Sequence, residues 1–210
     1  MKKYIYIILC IYACWLSTTT QAQTVADVWC EMPKSMQPTI DSIARLDMID
    51  LYRAGMKATA PTLLGDTAQL ITMNDTYLLL RTSKASTMQI KCIKHKKKTI
   101  YAIVTTVEGP APNSHIVLYN EAWKTIPMKK YLKLPKVEDF VSATDTSTYD
   151  KQDIRKSIII PTIQYIINDS TNDITALPSF MQTLDKESRE RITSYIRPNI
   201  KLQWNGKKWK

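Results

Sequence analysis

The stretch between Ala68 and Tyr119 reads AQLITMNDTYLLLRTSKASTMQIKCIKHKKKTIYAIVTTVEGPAPNSHIVLY. Runs rich in β-branched and aromatic residues alternate in it with polar, lysine-rich or proline-containing segments. Within one run, Met88, Ile90 and Cys92 would share a face, because successive side chains of a strand point to opposite sides. The segments between the runs are short, whereas parallel strands need long crossovers. The stretch therefore predicts an antiparallel meander.

A longer helix is predicted before the meander, over Thr39–Met56. Its apolar residues follow a loose spacing of three to four, which would place Ile43 and Leu46 on the buried face. Asp41 and Arg45 are four residues apart and would form an exposed ion pair. The other elements predicted in this half are one helix and six strands: Val25–Glu31, then Ala68–Met73, Tyr77–Arg81, Thr87–His95, Thr99–Val107, Ser114–Tyr119 and Trp123–Ile126.

The second half contains further apolar, β-branched segments and one predicted helix. The apolar segments are Val137–Ala143, Ile158–Ile160, Ile163–Ile167 and Ile174–Leu177. Ser179 and Gln182 have the spacing of a capping box, which predicts a helix from Ser179 toward Tyr195. An edge strand around Ile163–Ile167 would suit an inhibitor or chaperone-like module, provided that its edge is uncovered.

The tail of the chain has the pattern of a β-hairpin. Asn205-Gly206 predicts a two-residue turn, since both residues tolerate left-handed dihedral angles. In that register Trp209 lies opposite Leu202 and on the same face as Trp204. Either the two tryptophans close the core of a sheet, or they form an exposed aromatic patch for a partner.

These elements predict an α+β fold with antiparallel sheets and a few helices. Three segments are expected: a leader over residues 1–22, a helix-plus-meander half over 23–128, and a strand–helix–hairpin half over 129–210. The two halves either follow each other in tandem or pack into one compact domain.

The first 22 residues are typical of a secretory leader. Lys2 and Lys3 precede a nearly unbroken apolar run, and small residues follow before Gln23, which would become the first mature residue. Two alternatives are a lipoprotein acylated at Cys14 and an uncleaved anchor. No later apolar stretch reaches the ~20 residues that a membrane-spanning helix needs. We expect an exported protein that is periplasmic or associated with the outer membrane.

Composition excludes several classes of activity. The chain has 210 residues, 29 basic and 19 acidic, and its net charge falls from +10 to +8 without the two lysines of the leader. Its four glycines lie too far apart for a Rossmann or P-loop phosphate site. Only two histidines occur, His95 and His115, and neither belongs to a recognisable metal or nucleophile motif. No cofactor and no metal are expected.

The remaining catalytic candidates are carboxylates. Asp47 and Asp50 are three residues apart and would share a helical face, so they could serve a hydrolase that acts on carbohydrate or peptide. Solvation of a helix surface explains the same pair without catalysis. The sequence therefore leans away from an enzyme.

Cys30 and Cys92 would remain after removal of the leader. In an oxidising compartment they either form a disulfide, worth ~4 kcal/mol in the chain-entropy model because it closes a long loop, or stay buried as free thiols.

Much of the excess charge lies in short lysine-rich segments. One contains Lys94, Lys96, Lys97 and Lys98, a second lies near Lys129, and a third ends the chain. Such segments attract an anionic lipid, a glycan or an acidic protein, or they keep turns soluble and discourage edge pairing. No nucleic-acid-binding motif is present, and no nucleic-acid partner is expected.

Several local patterns resemble one family. They are Met32-Pro33-Lys34-Ser35 with Pro38, Arg45-Leu46-Asp47-Met48-Ile49-Asp50-Leu51, Leu64-Gly65, Asp75-Thr76-Tyr77-Leu78-Leu79-Leu80 and the region of Trp123. Together they resemble uncharacterised exported proteins of the Bacteroidetes, known only as a domain of unknown function. The resemblance implies an exported α+β protein and brings no reaction or site residue. We therefore expect a non-enzymatic binding module of the cell envelope, whose interaction residues would include the lysines of segment 94–98, Trp204 and Trp209.

Overall fold

The meander forms the centre of the protein. The structure, a computed structural model, describes residues 23–142 and 151–210, so the predicted leader, including Cys14, lies outside the described residues. The meander strands are β1 Thr59–Pro61, β2 Thr67–Met73, β3 Tyr77–Ser83, β4 Ser86–His95, β5 Lys98–Val107 and β6 Asn113–Tyr119. They pair in chain order, each antiparallel to the next.

Four α-helices and a second sheet complete the described fold. The helices are α1 Val25–Glu31, α2 Ser42–Arg53, α3 Lys151–Ser157 and α4 Lys186–Thr193. The second sheet contains β7 Gln164–Ile167, β8 Ile174–Leu177 and β9 Ile200–Leu202, paired antiparallel in that order. Short 3-10 turns occur at Met128–Lys130, Val137–Phe140 and Ser179–Thr183. The predicted α+β class with antiparallel sheets is confirmed.

Both faces of the six-stranded sheet are buried. One face, which carries Leu78 and Ile90, packs against the buried sides of α1 and α2; we call these helices and the segment between them the helical layer. The opposite face, which carries Tyr77 and Ile93, packs against the smaller sheet and α4, which we call the C-terminal layer. The alternation predicted for β4 is confirmed, but its second face also lies under a layer. Gln89 is therefore buried rather than solvated.

Polar side chains of the large sheet bind the outer edge of β7. The side-chain amide of Gln89 donates to Tyr165 O at 3.0 Å, and its oxygen accepts from Ile167 N at 2.8 Å. Ser114 Oγ accepts from Tyr165 N at 3.0 Å, and Ser114 N donates to Ile163 O at 3.0 Å. The edge near Ile163–Ile167 is thus covered, which removes the support for an inhibitor or chaperone-like module at this position. These bonds join the halves 23–128 and 129–210, whose boundary stays a prediction.

The buried face of α2 differs from the predicted one. Ile43 is 72% and Leu46 52% exposed, whereas Arg45, expected in an exposed pair with Asp41, is only 1% exposed. Asp41 instead caps the helix and accepts from Ala44 N at 2.8 Å. The reason is that α2 turns the side containing Arg45 toward α1, where the guanidinium finds main-chain acceptors.

Two other predicted segments are also corrected. The segment Trp123–Ile126 forms only one bridge, Tyr119 to Thr125, because the Asn120 side chain accepts from main-chain N–H groups and closes a turn in which Trp123 has a φ of 57°. Ile158–Ile160 lies outside the named strands.

The helix predicted from Ser179 is divided. A 3-10 turn occupies Ser179–Thr183, and Asp185 then caps α4 by accepting from Ser188 N at 2.9 Å. A helix cap within the predicted helix explains the break, since a cap residue adopts an extended conformation.

The tail forms a hairpin whose turn lies one residue later than predicted. Trp204 pairs with Trp209, so Trp209 does not lie opposite Leu202. Asn205 N donates to Lys208 O at 3.2 Å, so Gly206 and Lys207 lie at the centre of the turn, one residue later than predicted. The Asn205 side chain stabilises this turn by accepting from the N–H groups of Lys207 and Lys208 at 3.0 and 2.9 Å.

Candidate functional site

The lysine-rich segment 94–98 forms the tip of the β4–β5 hairpin. His95 pairs with Lys98, and Lys96 and Lys97 make the two-residue turn between them. Lys96 has a φ of 57°, the left-handed conformation that such tight hairpin turns require. Lys94, Lys96, Lys97 and Lys98 are all exposed. The hairpin thus presents four ammonium groups to solvent at one end of the sheet.

His95 joins this tip to two other parts of the chain. Its ring lies 5.6 Å from the ring of Tyr131 and 6.0 Å from that of Trp204, both in edge-on arrangements. Its Nδ1 lies 3.3 Å from Gly206 O in the tail hairpin. Trp209 N also donates to Tyr131 O at 2.9 Å. These contacts fix the β4–β5 tip, the turn before Tyr131 and the tail hairpin against one another.

Three lysine-rich segments therefore meet at one end of the molecule. We define the lysine end by its exposed lysines, which are Lys94, Lys96, Lys97, Lys98, Lys129, Lys130, Lys207 and Lys208. Lys130 Nζ lies 5.7 Å from the Tyr131 ring centroid, a cation–π distance. Among the residues that the structure describes, none of these lysines forms an ion pair with a carboxylate. Their mutual repulsion is relieved by counterions or by an anionic partner.

The tryptophans predicted as interaction residues belong mostly to the core. Trp209 is 4% exposed, and its indole N–H donates to Asn172 O at 2.6 Å. Trp204 is half-buried and packs on Trp209 with ring centroids 4.6 Å apart. Of the two alternatives, the core-facing arrangement is the observed one, and an exposed patch that includes Trp209 is wrong. The pair supports the lysine end from beneath.

Asp47 and Asp50 lie exposed on the open surface of α2. The side of this helix that turns inward carries Arg45, Met48 and Ile49 instead. A pair of catalytic carboxylates needs a cleft that holds a substrate between them. The position of these two residues therefore gives no support to the hydrolase alternative.

Cys30 and Cys92 are free thiols, of which Cys30 is half-buried and Cys92 buried. Of the two sequence alternatives, the structure contains the thiols and not the disulfide. Burial raises the pKa of both thiols, that of Cys92 to about 12. Since the thiolate is the reactive form of cysteine, both side chains are placed as core residues rather than as nucleophiles.

The described residues contain neither a cluster of metal-ligating side chains nor a membrane-spanning helix. Within residues 23–142 and 151–210, no three His, Cys, Asp or Glu side chains converge as ligands of a metal ion would. In the same part of the chain, no helix is long and apolar enough to cross a membrane.

The family model for proteins of unknown function DUF3256 matches residues 17–209. The chain belongs to this family. The predicted membership of a domain of unknown function is thereby confirmed. No curated protein matches the chain significantly.

The fold of the chain is also similar to that of a solved structure. A domain of an uncharacterised protein from Porphyromonas gingivalis W83 is similar to it with a TM-score of 0.75 and 20% sequence identity. The similarity covers 89% of this chain and 96% of the other. At this identity the likeness shows a shared fold, and the organism agrees with the expected link to the Bacteroidetes.

Sequence reasoning identified the lysines but not their convergence. About 30 residues lie between the first and second segments and about 75 between the second and third, and nothing local indicates that they meet. A signal was nevertheless present, because each segment contains or adjoins an aromatic or histidine residue: His95, Tyr131 and Trp209. Those residues form the contacts that bring the lysines together.

Proposed function

We propose that this DUF3256 protein is an exported, non-enzymatic binding protein that attaches to an anionic surface of the cell envelope through the lysine end. The observation that carries the proposal is the convergence of eight exposed lysines without carboxylate partners in the described residues. Lysines that only maintain solubility can be spread over the surface, whereas here His95, Tyr131 and the tail hairpin hold them together.

The geometry suits phosphate or carboxylate groups displayed on a lipid or glycan surface. Ammonium groups on flexible stems attract anions as point charges and impose little stereochemistry. Each lysine near an anionic membrane contributes roughly 1 kcal/mol, and the attraction acts within about one Debye length of the surface. Several lysines held on one end would therefore give useful affinity without a deep pocket.

The position of Asp47 and Asp50 on an exposed helix surface offers no cleft for a substrate, so it does not support a hydrolase.

The predicted leader supports the location in the envelope, and its removal before Gln23 is part of the proposal. Fractionation of cells and N-terminal sequencing of the protein test that part directly. An intact Met1 on protein in the cytoplasmic fraction would contradict it.

The binding proposal is tested with residues 23–210 and vesicles of phosphatidylglycerol and phosphatidylethanolamine. Cosedimentation is compared at low and high salt for the unaltered protein and for the triple variant Lys96→Gln, Lys97→Gln, Lys208→Gln. We expect the triple variant to bind roughly 10- to 100-fold more weakly and with a smaller dependence on salt.

The matched control removes the same number of charges elsewhere, by Lys34→Gln, Lys57→Gln and Lys186→Gln, all at exposed positions. It should change binding by less than about threefold, since these lysines lie outside the lysine end. Equal losses in the two triple variants would mean that net charge alone attracts the vesicles, and the proposal would fail. A pull-down from solubilised envelope with the same three proteins then identifies the natural component.

A further inference from the structure

The tail hairpin contains the one asparagine of the chain that is followed by a glycine, Asn205-Gly206. Both residues are exposed, and they lie in the turn that the hairpin places beside the β4–β5 tip. Glycine has no Cβ, so its main-chain nitrogen is the least hindered nucleophile that can follow an asparagine. Attack of this nitrogen on Cγ of Asn205 closes a five-membered ring. Asn205 therefore carries the side-chain amide of the chain that is most open to such an attack.

The main-chain nitrogen of Gly206 is free to react. Among the described residues, none accepts a hydrogen bond from Gly206 N. Gly206 also has a φ of 86°, a conformation in which a side chain would be strained, so glycine is required at this position. Asn113 is exposed too, but the nitrogen that follows it, Ser114 N, donates to Ile163 O at 3.0 Å. The nucleophile is thus bonded at position 114 and unbonded at position 206.

The side-chain carbonyl group of Asn205 is prepared for the attack. Its Oδ1 accepts hydrogen bonds from Lys207 N at 3.0 Å and from Lys208 N at 2.9 Å. When Cγ is attacked, negative charge develops on this oxygen, and two N–H groups already aimed at it stabilise that charge. The exposed ammonium groups of Lys207 and Lys208 favour the deprotonated, reactive form of the Gly206 nitrogen, because a nearby positive charge stabilises an anion. The turn therefore assists both partners of the reaction.

We propose that Asn205 is a site of spontaneous deamidation that lowers the positive charge of the lysine end. The Gly206 nitrogen loses its proton and forms a bond to Cγ of Asn205, and the side-chain nitrogen takes up a proton and leaves as ammonia. Water then opens the resulting succinimide at either of its two carbonyl groups, which gives aspartate or isoaspartate at position 205. Each modified molecule thereby gains one carboxylate in the turn that carries Lys207 and Lys208.

The added carboxylate would weaken attachment to an anionic surface. It offsets one ammonium charge of the lysine end, and one such charge changes binding to an anionic membrane roughly fivefold. Isoaspartate also lengthens the main chain by one carbon next to the pair formed by Trp204 and Trp209, so it disturbs the turn as well. This loss of binding rests on the proposed function, whereas the deamidation itself does not.

The modification is tested by incubating residues 23–210 in mildly alkaline buffer and following deamidation by peptide mapping and mass spectrometry. We expect Asn205 to deamidate at least roughly 10-fold faster than Asn113, because only the nitrogen after Asn205 is unhindered and unbonded. Both aspartate and isoaspartate should form at position 205. The synthetic peptide Ac-Gln-Trp-Asn-Gly-Lys-Lys-NH₂ has the same local sequence without the fold, and Asn205 of the protein should react at least as fast as the asparagine of this peptide.

A pair of variants at the same position tests the effect on binding. Asn205→Asp has the charge of the aspartate product, whereas Asn205→Gln is neutral and has its amide carbon one methylene farther from the Gly206 nitrogen. In the vesicle cosedimentation described above, we expect roughly fivefold weaker binding for Asn205→Asp and a change of less than about twofold for Asn205→Gln. Asn205→Gln should also lose the modification at this position.

Two results would overturn the modification: deamidation of Asn205 no faster than that of Asn113, or a rate in the protein more than about 10-fold below the rate in the synthetic peptide. Equal vesicle binding by Asn205→Asp and Asn205→Gln would overturn its effect on the lysine end. Rapid deamidation of Asn205 in a protein that binds no vesicles would contradict the proposed function and leave the modification standing.

Discussion

The two layers that cover the six-stranded sheet are both organised by buried polar side chains, but in different ways. In the helical layer, Arg45 donates to Trp29 O at 3.0 Å, Met32 O at 2.7 Å, Gln37 O at 3.2 Å and Ile40 O at 3.3 Å. All four acceptors belong to the same layer as the guanidinium. Arg45 therefore fixes the conformation of the helical layer from within.

In the C-terminal layer, the polar side chains belong to the sheet and reach across to the layer. Gln89 binds the main chain of Tyr165 and Ile167. Lys91 Nζ donates to Asp169 O at 2.8 Å and to Thr76 Oγ1 at 3.1 Å. These bonds attach one structural unit to another. The difference teaches that a buried polar side chain can fix a layer from within, as Arg45 does, or can attach a layer to the sheet, as Gln89 and Lys91 do.

The largest effect is expected from Arg45→Met. The change removes the guanidinium donors from four carbonyl groups in a buried environment, of which only Trp29 O keeps a second donor among the described residues, Met32 N, and such losses cost roughly 3–5 kcal/mol of unfolding free energy. Urea denaturation followed by circular dichroism measures it. Arg53→Met, at an exposed position of the same helix, should cost less than about 0.5 kcal/mol. Arg45→Lys should recover only part of the loss, because an ammonium cannot reproduce the planar guanidinium. A cost below ~1 kcal/mol for Arg45→Met would contradict its role in the layer.

A smaller effect is expected from Gln89→Leu, about 2–3 kcal/mol. The variant leaves Tyr165 O and Ile167 N buried without the partner that the amide supplies. Hydrogen exchange should accelerate selectively at the Ile167 amide, which reports docking of β7. Gln203→Leu is the exposed control. If hydrogen exchange accelerated equally in the helical layer, Gln89 would not act specifically on the docking of β7.

Lys91→Met is expected to cost about 1 kcal/mol or less. The side chain is 1% exposed, and burial lowers the pKa of its ammonium group. Its acceptor Asp169 belongs to an exposed turn, where water can take the place of the ammonium. A methionine also retains most of the buried apolar stem. A cost as large as that of Arg45→Met, measured in the same urea experiment, would remove the distinction between the two cations.

The smallest difference between the two layers is expected in how much stability each loses at alkaline pH. Burial raises the pKa of four groups to about 12 each: Tyr77 and Tyr165, where the sheet meets the C-terminal layer, and Tyr101 and Cys92, on the side of the helical layer. The unfolded chain, with values of 10.0 for tyrosine and 9.0 for cysteine, then loses protons first. Stability is fully present below pH 9 and is lost as the pH rises through about 12.

Urea midpoints at pH 8 and pH 11 measure this loss of stability. Tyr165→Phe and Tyr101→Phe should each reduce the pH dependence by a similar amount, because one ionisable hydroxyl is removed beside each layer. A pH dependence that disappears in only one of these variants would show that the layers differ in this respect too.

The strands were predictable because their signals are local. Alternation within β4 and the polar turn at Lys96-Lys97 lie within a few residues of each other, so the meander follows from neighbouring positions. The buried face of α2 was not predictable in this way. Ile43 and Leu46 offered an apolar spacing, and Arg45 becomes buried because carbonyl groups of α1 and of the segment after it accept hydrogen bonds from its guanidinium. Met48 and Ile49, spaced three and four residues from Arg45, were the signal that was missed.

Arg45 also has a consequence for sequence variation in DUF3256 proteins. It recognises carbonyl oxygens, which every amino acid supplies, and not the side chains that accompany them. Substitutions at Met32 or Ile40 leave those acceptors in place, so mutational drift there is limited only by packing. Position 45 itself requires several N–H donors on one planar group. Relatives are therefore expected to retain arginine at this position while the loop that it binds changes around it.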